Sequence, residues 1–410
     1  MFEDEERKKV ESAIAKRISS DRIILDDLIK DIKDYGLKTS ARSIQHYTSS
    51  SLAIVSSDGG NHSFKFDPFH HQLIRVVDSS GQTLGLKAIA LTTDPKELSN
   101  SEFKDDITGQ PTAVGRLMND LGNAAGRKIK HLHEICASIP EELPEQLDES
   151  AGWVLSYRDL WEWAVLYERI MYTTFAQSTL LIRDGLLRTK LFNSPYFRIM
   201  GELLSERIEQ IKQKERKDIF LVGLSKTSSV VDRYRLAFAL EDVFPPGKPY
   251  YVRVPREIEA KVYKFPEYSY GRERLPKPTM QRRSDGVLAL SFPSGLGPRE
   301  DSKYVFGSMF MARLSEANNM PIWAVDIFDD QIGQADRIIG HLFADSIDGF
   351  PIPAYPNAIQ RAHDAAKLTD LDAYILNEAI MKGIRNIVGD DNEIILDRIK
   401  LAGDVTGRRY

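Results

Sequence analysis

The stretch Ser51-Leu52-Ala53-Ile54-Val55-Ser56-Ser57-Asp58-Gly59-Gly60 constrains the fold more than any other. A short apolar run rich in β-branched residues reads as a buried strand, and this one runs into an aspartate and two glycines. Glycines let a backbone turn sharply or let another group come close to it. The Asp58 carboxylate is therefore expected at the lip of a sheet, where ligands and metals bind in open α/β folds. A single Asp-Gly is more often a turn that satisfies its own backbone. A second copy of the plan, Ser178-Thr179-Leu180-Leu181-Ile182-Arg183-Asp184-Gly185, changes that reading. Two strands delivering Asp-Gly at their ends point to a shared carboxylate site.

The chain has 410 residues, 42 % hydrophobic and 28 % charged, as in ordinary globular proteins with an ample core. Its single cysteine, Cys136, excludes an internal disulfide or a cysteine-based zinc site and fits a reducing cytoplasm. No apolar run approaches the roughly 18 residues that span a bilayer, and the charged start lacks the apolar core of a signal peptide. The net charge of −5 gives no global attraction to nucleic acid, so any such contact needs a local basic surface.

Before the first strand, residues 4–35 have Val10, Ile14, Ile18, Ile23, Ile24, Leu28, Ile29 and Ile32 at helical spacing among charges. The expected product is an amphipathic arm, folded back on the body or docked on another subunit. Residues 1–45 are assigned to this arm and 46–410 to the main domain. Strands over 62–66, 72–78 and 83–91, separated by short turns, predict an antiparallel meander. A helix is expected near 112–138 and another over 156–176. The latter carries Glu168 on or beside its apolar face, a costly position unless the carboxylate meets a cation, a metal or a neighbouring arginine. A third apolar strand, 219–223, precedes Ser225-Lys226-Thr227, where Lys226 would contact a phosphate or balance the carboxylates. No phosphate-loop pattern exists, which excludes a P-loop ATPase.

Residues 243–283 read as a loop-rich insertion in which Tyr250, Tyr251, Tyr268 and Tyr270 interleave with Arg272, Arg274, Lys277, Arg282 and Arg283. That mixture suits a single-stranded nucleic-acid groove, where bases stack and cations follow the backbone; a solvated connection has the same composition. Further strands are expected at 286–292, 304–313 and 322–327, the last holding Asp326 as a reserve carboxylate. Helices are expected at about 330–346, 357–367 and 370–388. Tyr355, ahead of Pro356, is pushed away from helical geometry and sits at a helix start. His363 lies two turns in, among Ala362, Ala365 and Ala366, whose small side chains leave the imidazole room. His62, His70 and His71, near turns among aromatics, are not assigned to a metal.

In this order — strand with Asp58-Gly59, helix with Glu168, strand with Asp184-Gly185, strand with Ser225-Lys226-Thr227, then Tyr355-Pro356 and His363 — the motifs resemble the NurA family of DNA-repair nucleases over roughly residues 50–370. The family usually has serine after each Asp-Gly, where this chain has Gly60 and Leu186. The resemblance implies a fold like ribonuclease H and Argonaute PIWI domains: a mixed sheet flanked by helices, here with the helical arm and insertions at 93–150 and 243–283. It implies 5′→3′ exonuclease and single-strand endonuclease activity on DNA, dependent on manganese with magnesium as the alternative. It also implies a homodimer docked on a hexameric HerA-type ATPase, in repair or in defence against foreign DNA. The functional positions carried over are Asp58, Glu168, Asp184, Tyr355 and His363. On that basis Asp58 and Asp184 hold the metals, Glu168 and His363 complete the shell, Tyr355 orients the scissile phosphate and Lys226 contacts phosphate. The competing readings are a non-catalytic DNA-clamp subunit and a phosphohydrolase of small nucleotides.

Overall fold

In a computed structural model of the chain, the structure describes residues 4–47, 52–66, 69–90, 92–143, 152–193, 195–262, 279–282, 288–291, 305–317, 319–367 and 370–388. Its strands are β1 (Arg42–Ser43), β2 (Leu52–Phe66), β3 (Phe69–Asp78), β4 (Thr83–Ala90), β5 (Ser178–Asp184), β6 (Ile219–Ser225), β7 (Tyr250–Arg253), β8 (Thr279–Arg282), β9 (Leu288–Ser291), β10 (Gly307–Arg313) and β11 (Trp323–Phe328). All but the β8–β9 pair join one sheet in the order β1-β7-β10-β11-β6-β5-β2-β3-β4.

β2, β3 and β4 form the expected antiparallel meander, and β5 and then β6 add to β2 in parallel. Three antiparallel strands followed by two parallel ones is the ribonuclease H arrangement. The parallel strands have nearly continuous apolar runs because both of their faces are covered. Alternation along each strand sends Leu181 and Leu221 to one side and Leu180, Ile182 and Val222 to the other. On the first side lie helices Ala113–Ala125, Gly152–Tyr172 and Tyr196–Glu215, with Tyr157, Trp163, Phe197 and Phe306 at their centre. On the second lie helices Ala335–Ser346 and Asn357–Ala366, packed through Ile339, Leu342 and Ile359.

The arm is a helix, Asp4–Asp34. Leu28 and Ile32 are buried beside Val230 and Tyr234 of the helix Ser229–Leu240, and the Tyr234 hydroxyl donates to Asp31 at 2.7 Å. None of the described helices is long and apolar enough to cross a membrane.

Several expectations are corrected. The helix expected over 112–138 ends at Ala125, because Gly126 adopts a left-handed φ of 69° and closes it; only a short turn, Leu132–Ile135, follows. Within 243–283, residues 250–253 are β7 of the main sheet, so Tyr251 is a core side chain donating to Asp336 rather than a stacking platform. Arg272, Arg274 and Arg283 lie outside the described residues, and only the backbone of Arg282, the last residue of β8, is described. Asp326 is also not a reserve metal ligand. It is buried and receives the Arg188 guanidinium at 2.6 and 2.8 Å and the Leu187 N–H at 3.0 Å.

Candidate metal centre

Asp58 is not at the end of its strand, as its sequence implied. β2 continues through Asp58-Gly59-Gly60 to Phe66; what ends is the pairing with β5, whose last partners are Ser57 and Arg183. Beyond that point β2 keeps only β3 as a neighbour. The gap left by β5 is where Asp58 and Asp184 meet. The glycines serve close approach rather than a turn. A Cβ on Gly59 would overlap the Glu162 carboxylate, and one on Gly60 would overlap the Ala366 carbonyl. Without side chains at these two positions, the helices Gly152–Tyr172 and Asn357–Ala366 can close on the strand from either side.

Each oxygen of Asp58 is engaged. Oδ1 accepts the Gly59 N–H at 2.8 Å, and Oδ2 lies 2.8 Å from His363 Nδ1. One ligand atom from each of Asp58, Asp184 and His363 lies within 4.8 Å of the other two. Burial pushes the Asp184 carboxyl up, and the Asp58 charge adds to this; Lys226, 3.7 Å away, opposes it. The Tyr355 hydroxyl is buried beside the Asp184 carboxylate. Burial, then the Asp184 and Asp58 charges, push its pKa up, so it stays a phenol beside the carboxylates. Lys226 also stands over the Tyr355 ring, 5.4 Å from its centre. Asp58, Asp184 and His363 open on a cavity of about 620 Å³ whose lining also includes Arg158, Arg183 and Lys367.

The structure does not bring Glu168 to this cavity. Its carboxylate is 2.8 Å from Arg116, which answers the cost of its inward position. The glutamate of this helix at the cavity is Glu162, six residues earlier. Six residues turn a helix by about 600°, leaving the two side chains some 120° apart. Glu162 is 13 % exposed, 3.4 Å from Arg158 and 3.8 Å from Arg183. Burial raises its pKa to about 8 against the two arginines, with help from Asp159 and Asp58. Arg183 is itself fixed, stacked 4.3 Å over Trp163 and donating to the Leu186 carbonyl at 3.2 Å. The sequence carried a signal for Glu162: it is the lone charge between Leu160 and Tyr167 in an otherwise apolar run.

The donors fit a divalent cation. Carboxylate oxygens with one imidazole nitrogen suit manganese well and magnesium less well, since magnesium prefers oxygen alone. The burial of Asp184 and its repulsion from Asp58 are what a cation at this place would offset.

No protein-family model and no curated protein matches the sequence. Among solved structures, the chain is similar to the NurA nuclease from Sulfolobus solfataricus (14 % identity, 94 % of this chain and 98 % of that one, TM-score 0.37). It is also similar to a NurA bound to dAMP and manganese (9 % identity, 92 % and 97 %, TM-score 0.39) and to a further NurA structure (10 % identity, 92 % and 98 %, TM-score 0.40).

Proposed function

We propose that this chain is a metal-dependent DNA nuclease. The observation that carries the proposal is the convergence of Asp58, Asp184 and His363, brought from three distant parts of the chain to one open cavity. Asp58, Asp184 and His363 would hold manganese, with Glu162 in the place the resemblance gave to Glu168. When bound, the metal would activate water and stabilise the charge that builds on the phosphate and the leaving oxygen. The protein's own groups do the rest. Lys226 stands beside Asp184 and over the Tyr355 ring, where its ammonium meets a phosphate oxygen. Tyr355, kept protonated beside Asp184, would donate its O–H to the same phosphate. His363, held by Asp58 at 2.8 Å, has its ring orientation set before substrate arrives.

The finer parts of the reading come from the sequence resemblance: 5′→3′ exonuclease and single-strand endonuclease action, two copies working with a HerA-type hexameric ATPase, a role in repair or defence, and Arg272, Arg274, Arg282 and Arg283 along the DNA. The test is cleavage of end-labelled single- and double-stranded DNA with and without manganese, comparing wild type with Asp184→Asn. Manganese-dependent loss of label by wild type alone is expected. Equal activity in the folded variant places the chemistry elsewhere, and no activity in wild type favours the DNA-clamp reading.

A further inference from the structure

Asp184 is the last residue of β5, and the chain leaves the strand directly after it. Gly185, at a positive φ of 109°, makes the turn while its N–H still bonds to the Leu224 carbonyl at 2.8 Å. The segment then crosses the sheet from β6 toward β10. A Cβ on Gly223 of β6 would overlap the Gly185 carbonyl and the Leu187 nitrogen, and one on Gly307 of β10 would press on Leu187 and Asp326. At the end of the crossing, the Leu187 N–H and the Arg188 guanidinium both donate to Asp326 of β11. Arg188 also donates to Glu259, of the helix Arg256–Val262, at 2.5 Å. The side chains of Arg188, Asp326 and Glu259 are at most 4 % exposed. Arg256, 3.1 Å from Glu259, balances the second carboxylate.

Such a buried cluster is costly to assemble, and removing one member leaves a charge without its partner. Its place on the chain gives it a use. An oxygen of Asp184 lies within 4.8 Å of one from Asp58, and two such carboxylates repel. The pairing of β5 with β2 stops at Arg183, one residue before Asp184, and the residue after Asp184 is a glycine. We infer that Arg188 is a positioning residue for the metal centre: by pinning the chain four residues beyond Asp184, it holds that carboxylate near Asp58 before a cation arrives. This role rests on the metal reading of Asp58, Asp184 and His363. It needs the planar fork of an arginine, which grips both oxygens of Asp326 and still reaches Glu259; a lysine ammonium is a single point of charge.

The test is manganese binding to the full chain, read from the spin-resonance signal of the free ion, for wild type, Arg188→Lys, Asp326→Asn and Arg313→Lys. Arg313 is the control, because it is buried like Arg188 but donates to the Phe244 and Lys248 carbonyls. Urea unfolding without metal measures the stability that each variant loses. Arg188→Lys and Asp326→Asn should bind manganese about 10-fold more weakly, while Arg313→Lys binds as wild type does despite a lower urea midpoint. Unchanged affinity in folded Arg188→Lys or Asp326→Asn overturns the positioning role, and so does an equal loss in Arg313→Lys. Should Arg188→Lys fail to fold, Asp326→Asn decides, since its amide keeps the shape of the side chain and an acceptor for the Leu187 N–H. A wild type that binds no manganese overturns the metal reading itself, and the role of Arg188 with it.

Discussion

Glu162 is the residue on which the site's charge balance turns. With Asp58 and Asp184 it makes three carboxylates at one cavity, yet its pKa near 8 means that without metal it carries a proton at neutral pH. Its folded pKa lies above the unfolded one, so its contribution to stability is complete below about pH 4.5 and disappears as the pH rises through about 8. The metal-free protein should therefore lose stability between about pH 4.5 and 8, by about 1.4 kcal/mol for each unit by which the pKa is raised. Glu162→Gln, which mimics the protonated form, should flatten that part of the profile in urea unfolding. A metal would displace the proton instead, so manganese binding should release protons and tighten with pH. Cleavage should fall about 10–100-fold in Glu162→Gln and stay within about twofold in Glu168→Gln, whose partner is Arg116. Equal losses in the two variants would return Glu168 to the site.

At the scale of elements, the centre depends on two helices closing against a strand that has no side chains in their way. Gly60→Ala would drive a methyl into the Ala366 carbonyl, in the helix that carries His363. That should cost about 1–3 kcal/mol and weaken manganese binding, because His363 must retreat from Asp58. Gly333→Ala, where an added Cβ meets nothing within 4 Å, is the matched control and should be nearly neutral. Urea unfolding of both measures the difference. These glycines also show what the sequence could and could not disclose. The meander and the apolar strands that carry Asp58 and Asp184 were legible, because period and turn chemistry act locally. The reason for Gly59-Gly60 was not, since what they admit comes from residues 162 and 366. Glu168 was misplaced for a related reason: the helix Gly152–Tyr172 is buried on much of its circumference, so hydrophobic spacing no longer marks which side faces the sheet. Asp326 and Arg188, 138 residues apart, paired by tertiary contact alone.

For the whole molecule, the cluster joins the two layers around the sheet. Asp58 and Asp184 come from the sheet, Glu162 from the helices on one face, and His363 and Tyr355 from the elements on the other. A cation held there would tie both layers to the strand ends, whereas the metal-free protein has to keep like charges together at the seam. Binding to the folded state alone stabilises it by about 2.7 kcal/mol when manganese is at about 100 times its dissociation constant. Because the ligands span both layers, this gain should appear in global unfolding and not only in local loops. Hydrogen exchange should slow together in β5, in the helix Gly152–Tyr172 and in the helix Asn357–Ala366 on adding manganese. In Asp58→Asn the same addition should leave the urea midpoint and all three segments unchanged. Protection confined to one layer in the wild type would mean that the ion sits off the seam, and the ligand set would have to be redrawn around that layer's carboxylates.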